Sequence, residues 1–184
     1  MITRLLAAAL LLCLCAPVEA RELPLPAAWH FMLSQPEDNA YTAGLTDLDS
    51  HGGKTCGFIK SGLGTPKGLG DVSQAFKADR YRGKRLRWSL WYKSIALKGK
   101  VTLWMRVDGP NHTVLSYGRY VPTKTATGWR AHSDEFNIPK AAEQIAIGVT
   151  LEGEGVVCFD DMQFAVIKGI PGEPVHAQKN GFEE

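Results

Sequence analysis

The stretch TLWMRVDGP (residues 102–110) alternates two kinds of side chain: Leu103, Met105 and Val107 take one parity, and Thr102, Trp104, Arg106 and Asp108 take the other. A strand turns successive side chains to opposite faces, so the pattern predicts a strand with its odd residues in a core and its even residues on an open face. That open face carries an indole, a guanidinium and a carboxylate in a row, where water is usually shown a plain polar surface. The same period of two recurs upstream in RLRWSLWYKS (85–94), where Leu86, Trp88, Leu90 and Tyr92 oppose Arg85, Arg87, Ser89, Trp91 and Lys93. It recurs downstream in Ile145, Ile147, Val149 and Leu151.

Working outward, PAAWHFML (26–33) reads as a short strand anchored by Trp29, and YTAGLTDLD (41–49) and GKTCGFIKSG (53–62) as two more around the loop SHGG. The Gly/Pro segment GLGTPKGLG (62–70) leads into DVSQAFKA, and DRYRGK, LKGK and GPNHT punctuate the chain as turns. Residues 114–130, VLSYGRYVPTKTATGWR, read as loop more than strand; AHSDEFNIP and GVVCFDDMQFAVI complete the strand pattern, and AAEQIA (141–146) reads as one helical turn at the head of its strand. Many short strands separated by turn signals, with 19 Gly and 10 Pro, predict an all-β antiparallel β-sandwich.

The N-terminus has its own pattern. Arg4, an apolar run from Leu5 to Cys15 and the small-residue site Val18-Glu19-Ala20 form the three parts of a secretory signal peptide over residues 1–20, with no transmembrane segment left after its cleavage. The expected organisation is therefore a signal peptide (1–20), one sandwich domain (21–167) and a flexible C-terminal tail (168–184), in a periplasmic or secreted protein. The net charge of +2 gives no ground for a nucleic-acid partner. Cys56 and Cys158 remain after cleavage, in a compartment where disulfides persist; if their strands are neighbours the two sulfurs share a face, which predicts a disulfide, with two buried free thiols as the other reading.

The run FKADRYRGKRLRWSLWYKS, then LWMRVDG, then IPKAAEQIAIGVTLEGEGVVCFDDMQF resembles bacterial domains of the galactose-binding-like jelly-roll type, over roughly residues 27–167. Such domains stand at the C-terminus of some AraC-type regulators and beside some secreted esterase- or peptidase-like proteins. The resemblance implies two antiparallel sheets in a jelly roll and a binding or accessory role, by analogy of fold. The middle departs from it: relatives show Phe-Asp-Asn-Met and a Gly-Thr-Thr run where this chain has LSYGRYVPTKTATGW. The closing NGFEE is similar to the start of a following domain in multidomain relatives, so the expectation is the module standing alone.

In a jelly roll an exposed sheet face can hold a sugar, whose C–H faces stack on aromatic rings while its hydroxyls need charged or amide partners. Trp104, Arg106 and Asp108 supply that combination, with Tyr117, Tyr120 and Trp129 as a loop wall. The alternative is that Arg106 and Asp108 pair with neighbouring strands and Trp104 lies under a loop as satellite core. Asp160, in CFDDMQF, also has two readings. Related folds carry a structural calcium where the last strand meets an early loop, which would use Asp160 and Asp49 with Asp47 and the backbone near Gly53; otherwise Asp160-Asp161 is a β-bulge whose carboxylates take up turn amides or pair with RGKR (82–85). No cofactor other than this calcium is expected.

Signs of catalysis are thin. The five histidines have no zinc spacing, and no G-x-S-x-G, P-loop or dinucleotide motif occurs. The function expected is a secreted or periplasmic non-catalytic binding module for carbohydrate or cell-envelope glycan. The alternative is a protein-interaction module docking onto an envelope or secreted partner.

Overall fold

The computed structural model describes residues 21–36, 40–168 and the backbone of 178–179. The expected signal peptide, and all of the expected tail beyond residue 168 except the backbone of 178–179, lie outside the described residues. The strands are β1 (Glu22–Leu23), β2 (His30–Leu33), β3 (Tyr41–Thr46), β4 (Cys56–Ser61), β5 (Leu69–Lys77), β6 (Arg85–Asp108), β7 (Val114–Tyr120), β8 (Arg130–Asn137), β9 (Gln144–Lys168) and β10 (Gln178–Lys179).

Two long strands organise everything else. β6 and β9 pair antiparallel along their whole lengths, from Arg85↔Lys168 to Asp108↔Gln144, and each bends midway so that its two halves lie in different layers. The bend falls where the register shifts between Ile95 and Lys98; Gly153 and Gly155 on β9 take φ of 90° and 127° there, backbone conformations that side-chain-bearing residues rarely adopt. One layer runs β2-β5-β9-β6-β7 through the Gln144 and Asp108 halves. The other runs β1-β3-β4-β9-β6-β8 through the Lys168 and Arg85 halves.

The layers face each other across one core. Leu103, Met105, Val107, Ile145, Ile147, Val149 and Leu151 come from the first layer, and Leu86, Trp88, Leu90, Val157, Phe159, Met162 and Phe164 from the second; all are buried. These are the residues whose alternation announced the strands, and Trp29 closes the same core. The architecture is thus the expected antiparallel jelly-roll sandwich.

Three local expectations are corrected. Residues 114–120 are a strand, because the edge of β6 leaves a row of backbone groups that β7 satisfies (Arg106↔Tyr117, Trp104↔Arg119). AAEQIA has no helical turn: Pro139 and Ala142 close a tight turn and β9 starts at Gln144. Cys56 and Cys158 are free, buried thiols in place of the expected bridge. They do lie on neighbouring strands and share a face, but the register pairs Cys158 with Phe58, so Cys56 is its diagonal neighbour. Diagonal Cα atoms stand about 7–8 Å apart, beyond the span a disulfide accepts without backbone movement. The thiols touch instead, and that contact, with burial, pushes the Cys56 thiol up. In a chain starting at Arg21, iodoacetamide is expected to leave the native protein unmodified and to alkylate both cysteines after unfolding without reductant; unfolded protein that resists alkylation would restore the bridge.

Candidate functional site

The open face of TLWMRVDGP looks outward from the β2-β5-β9-β6-β7 layer. Register places Ser73, Gly148 and Trp104 side by side in one row, and Ala75, Ala146 and Arg106 in the next. The middle strands thus offer small side chains, while Arg106, Tyr117 and Arg119 rise on one side and His30 and Met32 on the other. The face is a shallow trough.

Trp104 paves its floor. A Cβ on Gly148 would stand 2.4, 2.5 and 2.7 Å from Cζ2, Cε2 and Nε1 of the indole, which puts the N–H edge of the ring directly over that glycine. The indole N–H donates to Asp71 Oδ2 at 2.8 Å and to Thr150 Oγ1 at 3.1 Å, and the Thr150 hydroxyl donates to the same Asp71 oxygen at 2.6 Å. Its polar edge is therefore spent inside the protein, and the half-buried ring is pinned by that edge. Beside it, Arg106 grips Asp108 Oδ2 through Nε at 3.1 Å and Nη2 at 3.0 Å; the carboxylate is buried while the guanidinium is half exposed. The Arg106–Asp108 pair and the indole edge are thus tied up internally, while the half-exposed Arg106 and the exposed Tyr117 stand beside the ring.

The other expected wall residues lie elsewhere. Tyr120 takes core parity opposite Leu103 and stacks on His132 at 4.1 Å. Trp129 is on the outer side of the opposite layer, where it covers Cys56, Phe58 and Cys158. There the buried Lys93 ammonium lies 4.8 Å from its ring and is paired with Asp49, whose Oδ1 takes the Trp129 N–H at 3.4 Å. His51 stacks on Trp91 at 3.8 Å in the same corner, and its Nδ1 meets Asp161 Oδ2 at 2.7 Å. This corner is a small second core under two loops.

Asp160 ties the early loop down. Its Oδ2 accepts the backbone N–H groups of His51 and Gly52 at 2.9 and 3.0 Å, and its Oδ1 accepts that of Asp161 at 2.8 Å. Asp161 is the bulge residue, at φ 48°. Burial raises the Asp160 carboxyl above the ordinary carboxylate value, against the pull of those three donors. Of the two carboxylates named for calcium, Asp160 is engaged by turn amides and Asp49 by Lys93 and Trp129, so they serve different partners in this structure. Among the described residues no group of three or more His, Cys, Asp or Glu side chains gathers to hold a metal ion.

Sequence reasoning missed Asp71, Thr150 and Gly148. The only available signal was a glycine interrupting the apolar run IAIGVT.

No protein family model matches the chain. An uncharacterized HTH-type transcriptional regulator of Bacillus subtilis is 33% identical over 166 residues, covering 84% of this chain; the chain spans 56% of that regulator's length. Through residues 40–168 this chain is strand and loop, with no α-helix among the described residues. Among solved structures, the enzymatically active domain of the bacteriophage CBA120 tailspike protein 4 superposes with a TM-score of 0.61 at 12% identity, over 77% of this chain and 20% of that one. The C-terminal family 22 carbohydrate-binding module of Clostridium thermocellum Xyn10B gives 0.57 at 13% identity, over 78% and 88%. The module TmCBM61, solved with β-1,4-galactotriose, gives 0.51 at 16% identity, over 75% and 88%. With two layers exchanged through bent β6 and β9, and with these superpositions, the chain has the galactose-binding-like jelly-roll fold.

Proposed function

We propose that this chain is a non-catalytic, secreted or periplasmic module that binds carbohydrate in the trough of the β2-β5-β9-β6-β7 layer. The observation that carries the reading is the half-buried Trp104 indole on the open face, pinned over Gly148 by Asp71 and Thr150. A ring pinned on an open face is a stacking platform for a pyranose, and Arg106 and Tyr117 beside it offer hydrogen bonds to its hydroxyls. That several structural neighbours are carbohydrate-binding modules supports the reading.

Tyr117 is the cleaner probe because its side chain is exposed and carries no fold. In a glycan-array screen followed by titration of the best glycan, Tyr117→Ala is expected to weaken binding tenfold or more, which is ~1.4 kcal/mol, with unfolding unchanged. Wild-type affinity in this variant would remove the trough as the site.

A second reading rests on the β7 edge, where Val114, Tyr117, Tyr120 and Val121 are exposed. An apolar edge of this kind suits a protein partner. A partner retained in a pull-down and indifferent to free sugars would favour it.

A further inference from the structure

Where the trough runs off the ends of its strands it opens into a cleft of about 380 Å³. Lys77 ends β5, Asp108 ends β6 and Gln144 begins β9, neighbours across the register; His112, from the turn after β6, and Glu143 add the rim. Asp108 is the informative residue. Asp108 lines the cleft; its Oδ2 is held by Arg106, and its buried Oδ1 has no hydrogen-bond partner. A buried carboxylate oxygen left unpaired is costly, so a donor that reached it would be favoured.

The surroundings say what kind of donor. Arg82, also in the lining, is paired with Asp79 at 3.0 Å, and Arg106 with Asp108. That leaves Lys77 and Glu143, one charge of each sign, with the Gln144 amide able to donate and accept. Balanced charge favours neither an anion nor a cation; it suits hydroxyls, which donate and accept at once. The volume lies at the small end of ligand sites, about 300–1,000 Å³, and fits one or two sugar rings better than a length of chain.

We infer that this cleft is a separate subsite for the terminal residue of a neutral glycan, with Asp108 Oδ1 accepting a sugar hydroxyl and Lys77 donating to another. The inference rests on the carbohydrate reading of the trough and adds a preference for chain ends and for uncharged sugars.

The test is a backbone amide NMR titration of the chain with methyl β-xyloside, methyl β-galactoside, methyl β-glucuronide, xylotriose and β-1,4-galactotriose. A neutral methyl glycoside is expected to shift the amides of Gly109, His112 and Gln144. Its affinity should fall tenfold or more in Asp108→Asn and in Lys77→Ala and hold in Leu63→Ala, an exposed residue that belongs to neither site. If Asp108→Asn does not fold, Lys77→Ala and Gln144→Ala decide. Trisaccharide shifts confined to β6 and β7, with the cleft silent, would overturn the subsite and leave the trough reading standing. Silence everywhere would overturn both. Tighter binding of the glucuronide than of the neutral glycosides would overturn the neutral-sugar assignment.

Discussion

Asp160→Ala is expected to lower the unfolding free energy by about 3 kcal/mol, read from the midpoint of a urea melt. Three backbone N–H groups, of His51, Gly52 and Asp161, lose their acceptor together. Each buried donor left unpaired costs about 1–3 kcal/mol, and water reaching the half-exposed loop returns part of that. Asp160→Asn keeps one oxygen but turns an NH₂ toward N–H groups, so it should recover less than half of the loss. The damage should extend to the corner that the loop covers, where His51 stacks on Trp91 and Lys93 is buried against Asp49. A loss below about 0.5 kcal/mol in the Ala variant, the range of an ordinary surface change, would show that the loop is held by something else.

Gly148→Ala is expected to strike the candidate site and the fold at once. The new Cβ would stand 2.4 Å from the indole of Trp104, a distance real side chains do not tolerate, and the obstacle is a ring pinned by its bonds to Asp71 and Thr150. The indole must tip away, giving up its bonds to Asp71 and Thr150 and leaving Asp71 buried with fewer partners. Overpacking of this kind costs about 1–3 kcal/mol, and glycan binding on the platform should fall tenfold or more. Removing the ring removes the clash, so Gly148→Ala with Trp104→Ala should be less destabilised than the two single variants added together. Strict additivity in that cycle would mean the indole does not lie over Gly148.

How much of this was legible in the chain follows from the range of the interactions concerned. The alternations at 85–94, 101–108 and 145–151 specified strands, their inward faces and the sandwich, because a period of two is a local property that survives any pairing of the strands. The role of Asp160-Asp161 was half legible: a β-bulge and a calcium site both begin with adjacent carboxylates, and only the approach of His51 and Gly52, more than 100 residues away in the chain, separates them. The strand at 114–120 was hidden for a related reason. Its weak alternation acquires order only from the free edge of β6, a partner that sequence patterning does not see.

The sequence by itself therefore determined that this is an all-β sandwich with a Trp104-Arg106-Asp108 face, since local periodicity sets which side of a strand each residue takes. Only the tertiary structure decided which residues share that face. Strand order and register brought Asp71, Gly148 and Thr150 under Trp104 and sent Trp129 to the opposite layer. They also left Cys56 diagonal to Cys158, where sharing a face was not enough for a bond. Register is fixed by the combined burial of many side chains, and shifting it by a single residue would turn every one of them to the wrong side.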